Sequence, residues 1–417
     1  MGNNRKTVLK HFGYLRCDDF AAYLTEMAAK GWHFKEWKIG LVFEKGKPEN
    51  VRYAVEVFIK GSEYDMRPGP HTEEFAQYCE AAGWKLVDAK YKYVIFKQVR
   101  EDAMDILTPQ ERLENIGKEE KSTIHQDMTC AYIMTALRFI DFTSYNSIRY
   151  ILSGIHLLVF ATCIALALCA TARFLHYRIW EKACKRAIEN GESIYFGTGR
   201  NLFHLSSQWY SWATKSIFLV CMIGLVVSER FLYLLFPLII IAVLTPISYL
   251  MSWFRPKAGT SQMIHGVMVL IALMITLSVA AVSMHDQNKA ENVPLYYEDI
   301  DADIGQLLEE NIERSSSVFG STMQCSLQYA DEYVLYEVYQ SEHDWILERV
   351  WKDEMAPKTM QNAEDVTAFW GAVQAVRSGG QYKVRYPDAV LVLWFPQDAD
   401  LSQEAVAFIQ AALLESR

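Results

Sequence analysis

The sequence predicts a chain in three parts: an α+β N-terminal domain with the ferredoxin-like order βαββαβ, an α-helical transmembrane bundle, and a C-terminal α+β domain. Three observations predict this class. The first hundred residues contain an internal repeat, the middle holds long uncharged apolar runs, and the last third returns to a mixed polar pattern. The predicted parts are a domain at 1–100, a linker at 101–146, membrane helices at 147–285 and a domain at 286–417.

The N-terminal repeat consists of two copies of one local pattern. The stretch MAAKGWHFKEWKIGLVFEKG begins at Met27, and CEAAGWKLVDAKYKYVIFKQ begins 52 positions later at Cys79. In each copy a helix ends at glycine, a tryptophan follows, and apolar residues then alternate and change parity. A parity change within a strand indicates a bulge that redirects the buried face. The two copies therefore predict the same bent strand twice.

Four residues of this repeat are predicted to be structural. A glycine just after a helix adopts the left-handed conformation without strain, and the next residue folds back onto the last turn. We therefore expect one tryptophan to cover Met27 and the other to cover Cys79. An aromatic face that stacks on nucleic acid is the alternative, but no basic-aromatic signature accompanies these rings. The structural residues are Gly31, Trp32, Gly83 and Trp84.

The remaining N-terminal elements complete the predicted order. Period-two runs at 7–15 and 51–59 predict strands. Asp18 or Asp19 is placed to cap the first helix, and Thr72 begins the second. The second half thus repeats the first, as in two βαβ-like halves around one antiparallel sheet.

Four apolar runs predict membrane helices, at about 147–174, 209–229, 231–254 and 264–284, and the second is weaker because Lys215 interrupts it. Hydrophobic residues make up 51% of the chain and the mean hydropathy is near zero, which is high for a purely soluble protein. Because no charge lies in the middle of the clearest runs, a transport pathway for ions has little support.

The distribution of basic residues predicts the membrane orientation. Lysines and arginines are concentrated in 173–200 and at Arg255 and Lys257, which the positive-inside rule places in the cytoplasm. The first residues lack the apolar region of a signal peptide. Both observations fit a cytoplasmic N-terminus and an extracytoplasmic C-terminal domain if a fifth crossing, or a deep re-entrant segment, precedes Arg149. The candidate is MTCAYIMTAL at 128–137; the alternative is an amphipathic helix on the membrane surface.

The C-terminal third is strongly acidic. Residues 285–417 contain 9 Lys and Arg against 24 Asp and Glu, a net charge of −15, which leaves +6 for the rest. Such a domain repels nucleic acid and anionic lipid headgroups. The pattern predicts strands at 326–329, 333–339, 382–386 and 389–395, and helices at 343–355, 365–379 and 401–414.

One acidic stretch matches a calcium-binding loop in part. Asp299, Asp301, Asp303 and Glu310 match positions 1, 3, 5 and 12 of a calcium-binding loop. Position 6 requires glycine for its sharp turn and is Ile304 here, so an acidic helix start is the favoured alternative. The eight cysteines show neither a zinc spacing nor a disulfide framework.

Catalytic motifs are absent from the sequence. It contains no H-E-x-x-H, G-x-S-x-G or P-loop pattern, and the glycines at 197–199 are too few for a dinucleotide fingerprint. We therefore expect no catalytic residue, no cofactor and no enzyme activity.

At LTEMAAKGWHFKEW, LVFEKG, VRYAVEVF and AAGWKLV, the chain resembles the bacterial domain-of-unknown-function family 2812 (DUF2812), over about residues 7–100. The resemblance implies a soluble domain followed by several membrane spans, often beside a PadR-like transcriptional regulator in Gram-positive-type bacteria. The C-terminal domain looks like an extension that some members carry, and the weak first span departs from the family plan. No catalytic residues are established for the family, so none are transferred.

The architecture favours a sensory or regulatory protein of the bacterial cell membrane, in which an outer acidic domain is coupled to an inner ferredoxin-like domain. The alternative is an accessory subunit of a membrane transporter or envelope-stress system. The expected partners are membrane lipid, a cytoplasmic regulatory protein and a second copy of the chain, but not nucleic acid.

Overall fold

A computed structural model describes residues 4–143, 147–197, 202–227, 232–286, 293–301, 304–330, 332–357, 360, 363–396 and 401–414. The chain divides into two compact units. Unit 1 comprises Met1–Tyr132, Ala165–Leu219 and Leu234–Leu277. Unit 2 comprises Ile133–Ile164, Val220–Tyr233 and Ser278–Arg417.

Unit 1 begins with two successive β-α-β-β repeats. The first consists of β1 (Arg5–Val8), α1 (Cys17–Ala29), β2 (Trp32–Trp37) and β3 (Leu41–Lys45). The second consists of β4 (Tyr53–Val57), α2 (Pro70–Ala81), β5 (Trp84–Lys90) and β6 (Tyr93–Gln98). Each repeat forms its own three-stranded antiparallel sheet, in the orders β1-β3-β2 and β4-β6-β5.

This topology corrects the predicted ferredoxin-like plan. The alternating run after each Gly-Trp is two strands joined by a tight turn, not one bent strand, so six strands form two sheets instead of four forming one. Gly40 lies in the first turn, and Tyr91 has a φ of +56° in the second. The periodicity continues through both turns, which is why the sequence does not reveal them.

The predicted helix caps also differ. Helix α1 begins at Cys17, so Asp18 and Asp19 lie in its first turn, and no side chain caps it. Helix α2 begins at Pro70 after Gly69, two residues before the predicted Thr72. Proline is favoured at this position because the first helical N–H has no partner within the helix.

The two glycines that end α1 and α2 have positive φ angles, +79° at Gly31 and +92° at Gly83. The tryptophans after them differ in burial: Trp84 is fully buried in one cluster with Cys79, whereas Trp32 is partly buried against the cluster that holds Met27. The indole N–H of Trp84 donates to the carbonyl of Met104 at 2.6 Å.

Replacing Gly31 with alanine is expected to destabilise the first repeat by about 1–3 kcal/mol, because the left-handed backbone strains any residue with a Cβ. A Cβ there would also lie 2.9 Å from the carbonyl oxygen of Gly46. Native-state hydrogen exchange at β2 and β3 measures the loss. Gly13→Ala is the matched control, since Gly13 has a φ of −78° and open space around its Cβ position. Equal effects of the two substitutions would contradict the role of Gly31.

Helices, most of them long, follow the repeats. They are α3 (Pro109–Thr143), α4 (Ser147–Ile151), α5 (Gly154–Glu189), α6 (Leu202–Val227), α7 (Leu232–Phe254) and α8 (Ala258–Asp286). Within the described residues, α5 alone is long and apolar enough to cross a membrane. Helices α6 to α8 overlap the other predicted spans, but 228–231, at the boundary of two of them, lies outside the described residues. The linker predicted at 101–146 contains α3, which has 35 residues.

Unit 2 contains a seven-stranded antiparallel sheet in the order β10-β11-β12-β13-β9-β8-β7. Its strands are β7 (Leu307–Ser317), β8 (Gly320–Tyr329), β9 (Tyr333–Gln340), β10 (Glu364–Asp365), β11 (Gln374–Ser378), β12 (Gln381–Arg385) and β13 (Ala389–Trp394). Its later helices are α9 (Asp344–Met355), α10 (Thr367–Trp370) and α11 (Gln403–Leu414).

The helix predicted at 365–379 is wrong. The segment forms only the four-residue α10 and then β11, which pairs with β12. Gly371 has a φ of +56° directly after α10, and this left-handed residue ends the helix. Strand pairing thus outweighs the helical pattern of the sequence.

Candidate functional site

The two repeats carry equivalent bulges. The pairing of β2 with β3 shifts between Phe34 and Glu36, and the pairing of β5 with β6 shifts between Leu86 and Asp88. These positions are 52 residues apart, the spacing of the repeat. The predicted parity change is therefore a bulge at the same place in each copy, and an acidic residue follows each one.

The bulged strands β2 and β5 meet inside unit 1. The backbone N–H of Trp37 donates to Oδ2 of Asp88 at 2.6 Å, and the N–H of Ala89 donates to Oδ1 at 2.9 Å. Asp88 is 3% exposed. Burial raises the pKa of this carboxyl, against the opposing effects of Arg255 and the two N–H groups. A buried carboxylate of this kind requires a cation.

Arg255, between α7 and α8, supplies that cation. Its Nη2 donates to Oδ1 of Asp88 at 2.7 Å and to the carbonyl of Ala89 at 3.0 Å, and its Nε donates to the carbonyl of Met66. Nη1 lies 3.8 Å from Oε2 of Glu36, the acid at the equivalent position of the first repeat. We call Glu36, Asp88, Lys90 and Arg255 the junction cluster.

Lys90 adds a second cation to the junction cluster. Its Nζ donates to the carbonyl of Lys38 at 2.6 Å and lies 5.7 and 5.1 Å from the ring centroids of Trp37 and Tyr91. Burial, followed by the charge of Arg255, lowers the pKa of Lys90 to about 8. The ammonium therefore loses its proton more readily here than in water.

The stability of the junction cluster is expected to rise as the pH increases from about 8 towards 10.5. The folded pKa of Lys90 is lowered from 10.5 to about 8, so the unfolded chain binds more protons in this window. Hydrogen exchange of β5 measured at pH 7 and pH 9.5, corrected for the intrinsic rate, should show this gain. Lys90→Met should remove it, whereas Lys38→Met, at the equivalent and more exposed position, should retain it. A gain that persists in Lys90→Met would contradict the assignment.

Helices α3 and α5 pack antiparallel within unit 1. Arg173 of α5 donates to Glu120 at 2.6 Å and to Asp127 at 2.7 Å, and the hydroxyl of Tyr177 donates to the carbonyl of Gly117 at 3.0 Å. Residues later in α5 thus contact residues earlier in α3, as in an antiparallel pair. These bonds attach the part of α5 that follows its apolar stretch to α3.

In unit 2, the residues just before α5 are attached to the C-terminal sheet. Arg149 donates to Glu337 at 2.8 Å and to the amide oxygen of Gln324. The hydroxyl of Ser317 donates to the carbonyl of Ile151 at 2.8 Å. The side chain of Glu337 is only 8% exposed and that of Arg149 is 34% exposed, so the carboxylate is largely removed from water while the guanidinium stays partly accessible.

A cleft of about 670 Å³ lies beside α1 and β4 in unit 1. On its wall Arg112 donates to Asp18 at 2.7 Å and to Glu56 at 2.9 Å, and its guanidinium lies 5.2 Å from the ring centroid of Phe196. Burial raises the pKa of Glu56 to about 7, although Arg112 opposes this shift. The ion triad joins α1, β4 and α3.

The proposed calcium ligands are only partly described. Asp299 ends a short 3-10 turn, and the carboxylate of Glu310 in β7 accepts a hydrogen bond from Tyr296 at 2.9 Å. Asp303 lies outside the described residues. Within the described part of the chain, no group of three or more His, Cys, Asp and Glu side chains could hold a metal ion.

Comparison with known proteins gives one match. A family model described as "Protein of unknown function (DUF2812)" matches residues 16–126, from the start of α1 to the middle of α3. No curated protein and no solved structure matches the chain. Residues 16–126, which contain most of the double repeat, the two acids of the junction cluster and the first half of α3, therefore form a domain of the DUF2812 family.

Proposed function

We propose that the chain is a five-span membrane protein that couples an extracytoplasmic acidic domain to the cytoplasmic double repeat. The observation that carries the proposal is the attachment of α5 at both flanks of its apolar stretch. Within unit 1 Arg173 binds α3 just after the stretch, and within unit 2 the C-terminal sheet holds 147–152 just before it. A helix that crosses a bilayer presents these flanks to opposite sides.

The second half of α3 is the proposed first span. It continues the helix that packs on the repeats and exposes large apolar side chains, namely Tyr132, Ile133, Met134, Leu137, Phe139 and Ile140. Arg138 and Asp141 pair at 3.1 Å, which lowers the cost of placing both in lipid. Residues 128–143 rise about 24 Å, which is shorter than the hydrocarbon thickness of about 30 Å, so this proposed span requires a locally thinned bilayer.

The charges support a cytoplasmic repeat domain. Basic residues follow the apolar stretch of α5, and Arg255 lies between the third and fourth of the originally predicted spans. With α3 as an additional span, the positive-inside rule places Arg173, Arg255 and the repeats on the cytoplasmic side. The C-terminal domain then lies outside, away from the anionic lipids of the inner leaflet.

Thiol labelling of intact cells tests this topology. In a chain carrying Cys130→Ser, a membrane-impermeant maleimide should label Thr143→Cys directly, and should label Asp102→Cys only after permeabilisation. Both positions are exposed. The Cys130→Ser parent measures background labelling from the remaining cysteines. Labelling of Thr143→Cys only after permeabilisation would mean that α3 lies on the inner surface, and the proposal would fail.

Coupling is tested separately at Arg149. Arg149→Gln is expected to raise hydrogen exchange in β8 and β9 and also in 173–186 of α5, because it leaves Glu337 buried without its cation. Arg349→Gln is the matched control, since Arg349 forms an exposed pair with Asp353 on α9. A change confined to the C-terminal sheet would leave the topology intact and overturn the coupling.

A further inference from the structure

The turn between β7 and β8 in unit 2 exposes apolar side chains. Ser317 pairs with Gly320, so Val318 and Phe319 form a two-residue hairpin loop. Val318 is 85% exposed. Trp345, at the start of α9, is 52% exposed and meets the ring of Phe319 edge-on, with the ring centroids 6.3 Å apart. We call Val318, Phe319 and Trp345 the apolar tip.

The residues of this loop are unusual for its length. Two-residue hairpin loops favour asparagine, aspartate and glycine, whose backbones accept the required conformations and whose polar groups face water. Here a valine and a phenylalanine occupy both positions. A departure from local preference of this kind is expected at a functional surface.

Hydrogen bonds fix the conformation of the loop. The backbone N–H of Phe319 donates to the hydroxyl of Ser317 at 3.1 Å, and the hydroxyl of Ser341 donates to the carbonyl of Phe319 at 2.6 Å. Phe319 also packs against the apolar cluster that contains Leu152. The valine side chain therefore points into solvent from a well-held turn.

The apolar tip lies close to the start of α5, which also belongs to unit 2. The hydroxyl of Ser317 donates to the carbonyl of Ile151 at 2.8 Å, and a Cβ on Gly154 would lie 3.0 Å from the carbonyl oxygen of Ser316. Val318 follows Ser316 by two residues, so the tip is within about 10 Å of the first residue of α5. The headgroup layer on each side of a bilayer is about 5–7 Å thick. A helix that enters the bilayer near Gly154 thus places the tip at the level of the headgroups or next to it.

Charge is excluded from this end of the hairpin. Residues 315–330 contain no charged side chain, although residues 285–417 contain 9 Lys and Arg against 24 Asp and Glu. Beside Trp345, Asp344 pairs with Arg385 at 2.8 Å, whereas Glu342 is exposed. Tryptophan next to polar groups is typical of the interface between membrane and water. The exposed acid favours neutral over anionic headgroups.

We propose that the apolar tip inserts into the outer leaflet, at the boundary between headgroups and acyl chains, beside the point where α5 enters the bilayer. The inference rests on the proposed membrane topology and adds a lipid contact to it. With two contacts, the C-terminal sheet resists rotation about the start of α5.

Depth-dependent quenching tests the contact in the full-length protein, reconstituted in phosphatidylcholine nanodiscs. A fluorophore is attached to Val318→Cys, and separate samples contain lipids with a nitroxide near the top of the acyl chain or near its end. Because Val318 is exposed, this substitution should leave the fold intact. The parent carries serine in place of the exposed and half-buried cysteines, namely Cys130, Cys163, Cys169 and Cys221.

The fluorophore at position 318 is expected to lose most fluorescence with the nitroxide near the top of the chain. Leu308→Cys is the matched control, because Leu308 is apolar, 64% exposed and about 30 Å away along β7; its fluorophore should not be quenched. Trp345→Ala should reduce the quenching at position 318, which a fluorophore that inserts by itself would not show. A fluorophore on Ala161→Cys, within the apolar stretch of α5, should be quenched most by the nitroxide near the end of the chain.

The position of a failure distinguishes the two proposals. If position 318 is not quenched, if position 308 is quenched equally, or if Trp345→Ala changes nothing, the tip is not a membrane contact, while quenching at position 161 still supports the spanning helix. If position 161 is not quenched, the spanning helix is wrong and the inference fails with it.

Discussion

Replacing Arg112 with methionine is expected to lower the opening free energy of α1 and β4 by about 3–5 kcal/mol, because one substitution leaves two partly or fully buried carboxylates without a cation. Asp18 and Glu56 both accept from this guanidinium. Native-state hydrogen exchange over both elements measures the loss. The methionine retains most of the aliphatic stem, so the effect reports chiefly on the charge.

Two variants make the Arg112 result decisive. Lys30→Met removes an exposed pair with Glu26 at the end of α1, and should cost no more than about 1 kcal/mol. Adding Glu56→Gln to Arg112→Met should restore part of the loss, since the more buried acid no longer carries a charge. An Arg112→Met loss as small as that of Lys30→Met would mean that the triad contributes little.

Replacing Arg255 with alanine is expected to release the turn between α7 and α8 from the repeats, with a loss of about 3–5 kcal/mol at that contact. The substitution removes the cation of buried Asp88 and the donors to Ala89 and Met66. Hydrogen exchange should rise together in β5 and at 251–261. Arg255→Lys should restore only part of the protection, because an ammonium cannot reproduce the forked geometry.

Substitutions of the two acids of the junction cluster should change stability by different amounts. Asp88→Asn in the Arg255→Ala background is expected to recover stability, since it removes the unpaired charge. Glu36→Gln in the parent should cost less than about 1 kcal/mol, because its 3.8 Å separation from Arg255 is long and its side chain is partly exposed. Equal losses at the two acids would show that both repeats hold the turn equally.

Local patterns predicted much of the secondary structure. The repeat, its bulges, and the elements at 333–339, 343–355, 382–386, 389–395 and 401–414 follow from periodicity and turn residues. The ferredoxin-like plan was wrong because alternation continues through the hairpin turns at Gly40 and Tyr91. The helix at 365–379 was wrong because pairing with β12 is a tertiary contact.

The junction cluster could not be predicted in the same way. Arg255 and Asp88 are 167 residues apart, and the sequence indicated only that Arg255 flanks an apolar run. The repeat spacing does place Glu36 and Asp88 at equivalent positions, and this spacing is the one signal in the sequence that relates the two acids. The sequence does not show that the two repeats contact each other through β2 and β5.

The length of α5 sets a distance that the protein can use. Its 36 residues rise about 54 Å, and the part from Arg173 onward accounts for about 25 Å of this. If the apolar stretch lies in the bilayer, the remainder runs outside it with Tyr177, Trp180 and Cys184 packed into the core of the double repeat. The double repeat would then be fixed along this part of α5 by its own core, so a change in the tilt of the apolar stretch would be passed directly to the repeat.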